Sequence, residues 1–201
     1  MKRFFKLLLV ALVSFVLIGT NVNAIEKPKV TDHEKVNVYI FRGNGCGHCH
    51  NAVTYFYGLG DEFKDYFNVV LYEVWYNEGN SSLGKAVATE LGKTFSGVPF
   101  IVVGDTSFGG FGDSTGLEII EEALDAYQDD KYIDIVAKVQ KSKNFDIKEE
   151  TIEEVAYSEG ITDVEPTIVE EESSNDTIVV IVILLVIIGG FGALIYSSRK
   201  K

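Results

Sequence analysis

Cysteine is nearly absent from this chain: two among 201 residues, alongside one methionine and one tryptophan. Two cysteines exclude a disulfide-stapled scaffold, which needs several bridges to replace a core too small to hold the fold. Basic residues are also scarce, 18 against 30 acids, for a formal net charge of −12. That balance argues against nucleic-acid binding, because neutralising phosphates takes clustered Lys and Arg. No internal repeat is present. Once the two ends are set aside, the chain has room for one soluble domain of roughly 120 residues, enough for a single core.

The ends read as export and membrane signals. Lys2, Arg3 and Lys6 precede an apolar stretch, Leu7–Gly19, and Val22-Asn23-Ala24 follows, which is the layout of a secretory signal peptide over 1–24. An uncleaved anchor is the alternative, but this apolar stretch is short for a span. Ile178–Tyr196 carries no charge across 19 residues. As a helix it would be roughly 28 Å long, so 177–197 is expected to be a transmembrane helix. The basic tail 198–201 should stay in the cytoplasm with the preceding domain outside. A single-pass membrane protein follows, its catalytic domain extracytoplasmic. The bacterial cell membrane fits best, and the lumen of the endoplasmic reticulum also fits. Residues 145–176 hold 12 acids and one base with few aromatics. They are expected to be a flexible acidic linker, with Ile147–Tyr157 at most a frayed helix.

Between these ends, 25–144 should form the folded domain. Lys35–Arg42 reads as a strand that stops at the turn Gly43-Asn44-Gly45. Helical spacing begins at Cys46 and breaks near Gly58 and Gly60. Asn68–Tyr76 is a second strand, and Ser81–Lys93 a second helix capped by Ser81 or Ser82. Phe100–Val103 and Thr106–Phe108 form a hairpin across Gly104-Asp105. A helix runs from Ser114 to about Tyr127, and Tyr132–Val139 extends or follows it. This order predicts an α/β fold, a mixed central sheet flanked by helices.

The two cysteines stand three apart in Cys46-Gly47-His48-Cys49. A loop that short constrains the unfolded chain little, so redox chemistry explains the pair better than stapling. Their position between a strand and a helix strengthens this. Unpaired N–H groups and the helix dipole at that end favour a thiolate. Cys46 is then the attacking sulfur and Cys49 the resolving one. His48, when protonated, would favour the Cys46 thiolate further and make the disulfide a better oxidant.

A second element is Gly97-Val98-Pro99-Phe100, with Pro99 at a strand start. The layout over about residues 33–140 resembles the thioredoxin fold, and Cys46-Gly47-His48-Cys49 is similar to the active-site tetrapeptide of protein disulfide isomerases. The Val-Pro pairing also looks like bacterial periplasmic oxidases of that fold. The resemblance implies that Val98-Pro99 is a cis-proline loop facing the cysteines. In that reading Gly47, Val98 and Pro99 contact substrate and no organic cofactor is needed. It also implies exported protein substrates with thiols or disulfides, and a redox recycling partner. Oxidation or isomerisation is favoured over reduction. The sequence departs from the pattern twice. Gly45 stands where tryptophan commonly precedes the first cysteine, and Ile40 where a buried acid usually serves the inner thiol.

Other readings compete. Cys46-x-x-Cys49-His50 matches c-type haem attachment, with His50 as axial ligand, but the only methionine is Met1, leaving His33 or His48 as the second. Zinc held by Cys46, Cys49, His48 and His50 would require four ligands within five residues to surround one ion, which is sterically difficult. A non-catalytic interaction module is the third alternative. Phe108, Phe111, Tyr127 and Trp75 are expected mostly in the core, with Phe111 the best candidate for a substrate groove.

Overall fold

Seven residues, Val36–Arg42, form β1, and all but Asn37 are buried. A strand covered on both faces is what a run of Val, Tyr, Ile and Phe without clean polar alternation builds. The structure, a computed structural model, describes residues 25–162 and 164, of which those from Lys27 onward belong to one compact unit. Helix α1 is Gly47–Gly58, β2 Phe67–Glu73, and α2 Glu78–Glu90; β3 is Phe100–Val103, β4 Thr106–Gly109, and α3 Asp113–Gln128. Helix α4 (Ile135–Ser142), strand β5 (Glu150–Thr151) and helix α5 (Ile152–Ser158) complete the series. The sheet order is β4-β3-β1-β2-β5. Strand β1 is parallel to β2 and antiparallel to β3, and β4 and β5 pair antiparallel on the two edges. The expected mixed sheet with flanking helices is therefore present, and it is compatible with a thioredoxin-like fold.

Side-chain alternation along β1 divides the core. Tyr39 and Phe41 join Tyr72, Leu83, Val87, Phe100 and Val136 on the face covered by α2 and α4. Phe41 stacks on Tyr72 with ring centroids 5.2 Å apart. Val36, Val38 and Ile40 are equally buried and point to the opposite face, where α3 lies over β1 and β3.

Several boundaries differ from expectation, each for a local reason. Strand β2 stops at Glu73 rather than Tyr76, because the Glu73 carboxylate accepts the backbone N–H groups of Trp75 and Tyr76 at 2.9 Å each and turns the chain away. Helix α2 starts at Glu78, ahead of Ser81. Asn77 caps it by accepting the Asn80 N–H at 2.8 Å, a role asparagine fills as well as serine. Helix α4 is a separate helix, capped by Asp134 through the Ala137 N–H at 2.8 Å.

The largest difference lies beyond residue 144, where the acidic stretch joins the fold. Val70 and Leu71 of β2 pair with Thr151 and Glu150. Thr151 and Glu154 form a capping box that starts α5, which packs on α1. Asn80, 1 % exposed, donates to the Glu73 and Lys148 carbonyls and accepts the Lys148 N–H, all at 2.9 Å. Glycine at 79 makes room for this, since a Cβ there would run into the Asp146 backbone. The guanidinium of Arg42, 4 % exposed, meets Glu150 and Glu159 at 3.0 Å each.

The membrane-spanning helix and the single-pass membrane placement are corrected. Among the described residues no helix is long and apolar enough to cross a membrane. The longest of the helices named above, α3, has 16 residues and carries acids along its length, where a span needs about 20 mostly apolar ones. The segments 1–24, 177–197 and 198–201, on which the signal-peptide, span and tail expectations fall, lie outside the described residues.

Candidate active site

The cysteine pair sits where β1 hands over to α1. After Arg42 the chain turns through Gly43, Asn44 and Gly45, with Gly45 at φ 82°, a left-handed value that glycine adopts without penalty. The Cys46 N–H donates to the Gly43 carbonyl at 3.1 Å, closing the turn. Cys46 is the N-cap of α1, and its sulfur accepts the Cys49 N–H at 3.2 Å. The two cysteines are joined in a disulfide with Cα atoms 5.2 Å apart.

Their exposures differ in the sense attack and resolution require. Cys46 is partly exposed, whereas Cys49 is fully buried. A thiol or thiolate arriving from solvent therefore meets Cys46 first. When the disulfide opens, a Cys46 thiolate would inherit the Cys49 N–H and the positive end of α1. Gly47 and His48 are exposed on the first turn.

The Val98–Pro99 peptide bond is cis, and the Val98 carbonyl oxygen lies 3.8 Å from Cys46 Sγ. Residues 52 apart in sequence thus meet at one sulfur, through the antiparallel pairing of β1 with β3, in which Phe41 faces Phe100. Val98 is half-buried and Pro99 buried. Beside them a shallow hollow is lined by Lys93, Thr94, Gly97, Val98 and Ser107.

The two departures have structural counterparts. Ile40 is fully buried, so no acid stands at that position. The carboxylate that reaches the cysteine helix is Glu159 at the end of α5: its Oε2 contacts His50 Nδ1 at 2.9 Å, while Oε1 holds Arg42. Sequence reasoning missed Arg42, Glu150 and Glu159 because the acids were assigned to a linker. The only signal was Arg42 itself, a charge closing an otherwise apolar strand. Trp75, the single tryptophan of the chain, lies against Gly43 so closely that a Cβ there would run into its ring. It is 54 % exposed, and Tyr76 is 80 % exposed. The expectation of a core role fails for Trp75 but describes Tyr127, whose buried hydroxyl donates to the Thr31 carbonyl at 3.1 Å. Phe111 is half-buried against Tyr55 and Phe56, with centroids 5.5 and 6.1 Å away.

The disulfide engages both sulfurs that haem attachment would use, and His50 is held by Glu159. Among the described residues no group of three or more His, Cys, Asp or Glu is arranged to hold a metal. His33 is exposed at the surface, with Nδ1 2.9 Å from the Tyr127 carbonyl. Compared with known protein families, curated proteins and solved structures, the chain matches none.

Proposed function

We propose that this protein is a thiol–disulfide oxidoreductase of the thioredoxin-fold type, acting on polypeptides that carry thiols or disulfides. One observation carries the reading: a disulfide between partly exposed Cys46 and fully buried Cys49, at a helix N-terminus, with the Val98 carbonyl beside the outer sulfur.

In the oxidising direction a substrate thiolate attacks Cys46 Sγ. The Cys46–Cys49 bond breaks, and Cys49 leaves as a thiolate that takes up a proton. A second substrate thiolate then attacks the substrate sulfur of the mixed disulfide, forming the substrate disulfide and releasing Cys46 as a thiolate. Two electrons pass from substrate to protein, and a redox partner must remove them before the next cycle. His48, exposed between the sulfurs, favours the Cys46 thiolate when protonated. Gly47 leaves room above the disulfide. Val98 offers its backbone to an extended substrate chain, and Pro99 shapes that loop. By stabilising the dithiol, a protonated His48 between the cysteines favours oxidation or isomerisation over reduction. No organic group takes part, since the disulfide is itself the electron carrier.

The test is trapping. Cys49→Ala in the full chain should accumulate mixed disulfides with its substrates through Cys46, and Cys46→Ser should trap far fewer. Equal trapping by the two variants would overturn the roles given to the sulfurs. A wild-type chain that neither reduces insulin nor oxidises a reduced protein would overturn the activity and leave an interaction module. A reduction potential near ~−270 mV would remove the oxidase version.

A further inference from the structure

Among the described residues the exposed large hydrophobic side chains are Val30, Trp75, Tyr76, Ile133 and Tyr157. Single exposed apolar side chains need no explanation. Trp75 and Tyr76 are adjacent, however, and they flank the loop that delivers Cys46. That presentation is braced. One Glu73 carboxylate accepts three backbone N–H groups: Asn44 at 3.3 Å and Trp75 at 2.9 Å on Oε1, and Tyr76 at 2.9 Å on Oε2. The cysteine loop and the aromatic turn are thereby tied to one side chain. Gly43 completes the arrangement by letting the middle of the indole, at its fused ring bond, settle on bare backbone, while Trp75 as a whole stays 54 % exposed.

The sheet order sets the distance. Strand β1 lies between β3 and β2, so the Cys46 loop is bordered by Val98-Pro99 on one side and Trp75-Tyr76 on the other. Neighbouring strands are ~4.8 Å apart, which makes the crossing ~10 Å, or about three residues of extended chain. A substrate whose cysteine is bonded to Cys46, and whose backbone runs beside Val98, would carry a side chain two or three residues away over the indole.

We propose that Trp75, with Tyr76 beside it, is the specificity-determining element of the site. It takes a bulky apolar side chain, aromatic above all, that a polypeptide substrate carries two or three residues from its reactive cysteine. A rigid indole offers such a side chain a large apolar face with little conformational freedom left to lose. This inference rests on the oxidoreductase reading and specifies its substrate class.

The experiment measures disulfide exchange by the full chain with two peptides, identical except for phenylalanine or serine three residues from the cysteine. Oxidised and reduced glutathione serve as a substrate with no such flank. Wild type should prefer the phenylalanine peptide about tenfold in kcat/KM. Trp75→Ala should bring the two peptides within about twofold, and Trp75→Phe should restore part of the preference. Because Trp75 is the only tryptophan, its emission should also shift to the blue when a phenylalanine peptide with serine in place of cysteine is bound. A preference retained in Trp75→Ala, or none in wild type, overturns the proposal. So does a change of oligomeric state in Trp75→Ala with peptide preference intact, which would make this face a contact between copies of the chain. Wild type that exchanges with neither peptide nor glutathione would instead refute the oxidoreductase reading itself.

Discussion

Removing the acids from the Arg42 cluster should cost more than removing the arginine. Arg42 is 4 % exposed, while its partners Glu150 and Glu159 are 23 % and 13 % exposed. Burying a guanidinium is expensive, and the charge pairing offsets that only while the carboxylates are present. In Glu150→Gln/Glu159→Gln the charge stays buried and faces neutral acceptors. Breaking a buried pair typically costs ~3–5 kcal/mol. The residual exposure of both acids lets water supply part of the loss, so ~2–4 kcal/mol is the expectation here. In Arg42→Met the charge is gone and most of its volume remains filled. The two acids lie close enough to the surface to rehydrate, and the cost should stay near ~1 kcal/mol. The Arg42→Met/Glu150→Gln/Glu159→Gln triple variant should then be no less stable than the double. Urea unfolding of the full chain measures all three. At an m-value of ~2 kcal/mol/M the double variant should lose about 1–2 M of midpoint with m unchanged. A double variant that unfolds at or above the Arg42→Met midpoint would refute the reasoning, because the buried charge would then not be the costly element.

The remaining expectations use the same structure. Asn80→Leu strands the Glu73 and Lys148 carbonyls and the Lys148 N–H, and should destabilise by ~2–3 kcal/mol in urea unfolding, with amide exchange near Lys148 accelerating first. Truncating the chain after residue 144 removes β5 and α5, and with them both carboxylates that pair with Arg42 and the buried Val155 and Ala156. The product should unfold at lower urea than the full chain by more than the Glu150→Gln/Glu159→Gln variant does. Burial, then hydrogen bonding and charge from Asp134, raises the Tyr39 phenol, and burial followed by Glu149 raises that of Tyr72. Both phenols are protonated in folded and unfolded chains below pH ~10. Above it the unfolded chain ionises first, so stability should fall by ~1.4 kcal/mol per pH unit for each tyrosine. Burial also pushes the Tyr55 and Tyr132 phenols up to about 12, so between pH ~10 and ~12 Tyr39→Phe should reduce that alkaline slope by about a quarter, and an unchanged slope would refute the assignment. Gly43→Ala drives a methyl into the Trp75 ring and should shift the single tryptophan emission of the folded chain to the red as the ring is displaced.

The Cys46–Cys49 pairing at the start of a helix was readable in the sequence because it is local. Cys46 and Cys49 lie within one turn, and the strand, glycine turn and helix that frame them follow one another directly along the chain. Val98-Pro99 was marked for a different reason: a proline at a strand start is conspicuous, but its cis bond and its place opposite the cysteines were implied only by the resemblance to the thioredoxin fold. The Arg42 cluster was not readable. Its partners come from 108 and 117 residues away, and an acidic, aromatic-poor segment has the composition of a linker. What folds that segment is a row of complementary features elsewhere in the chain: a buried guanidinium on β1, Asn80 turned toward its backbone, and bare glycine at 79. None of them declares its partner in one dimension. The position of Trp75 was misjudged in the same way, because apolar spacing along a strand predicts burial, whereas the Glu73 carboxylate ends the strand before Trp75 is reached.

These non-local elements converge on the cysteine helix from separate directions. Glu159 reaches His50, the residue after Cys49, from the C-terminal helix. Trp75 borders the loop before Cys46 from the end of β2, and Val98 meets the Cys46 sulfur from the start of β3. Two of these three residues are tied to β1 and β2 through carboxylates, Glu159 by Arg42 and Trp75 by Glu73. Arg42 and Glu73 are themselves direct neighbours in the parallel register of those strands. The ends of two paired strands therefore hold both flanks of the cysteine helix. A substitution at Arg42 should release Glu159 and shift the backbone amide signals around His50, and one at Glu73 should shift those around Asn44 and Trp75, whereas a substitution in the β3–β4 hairpin should disturb only the Val98 side.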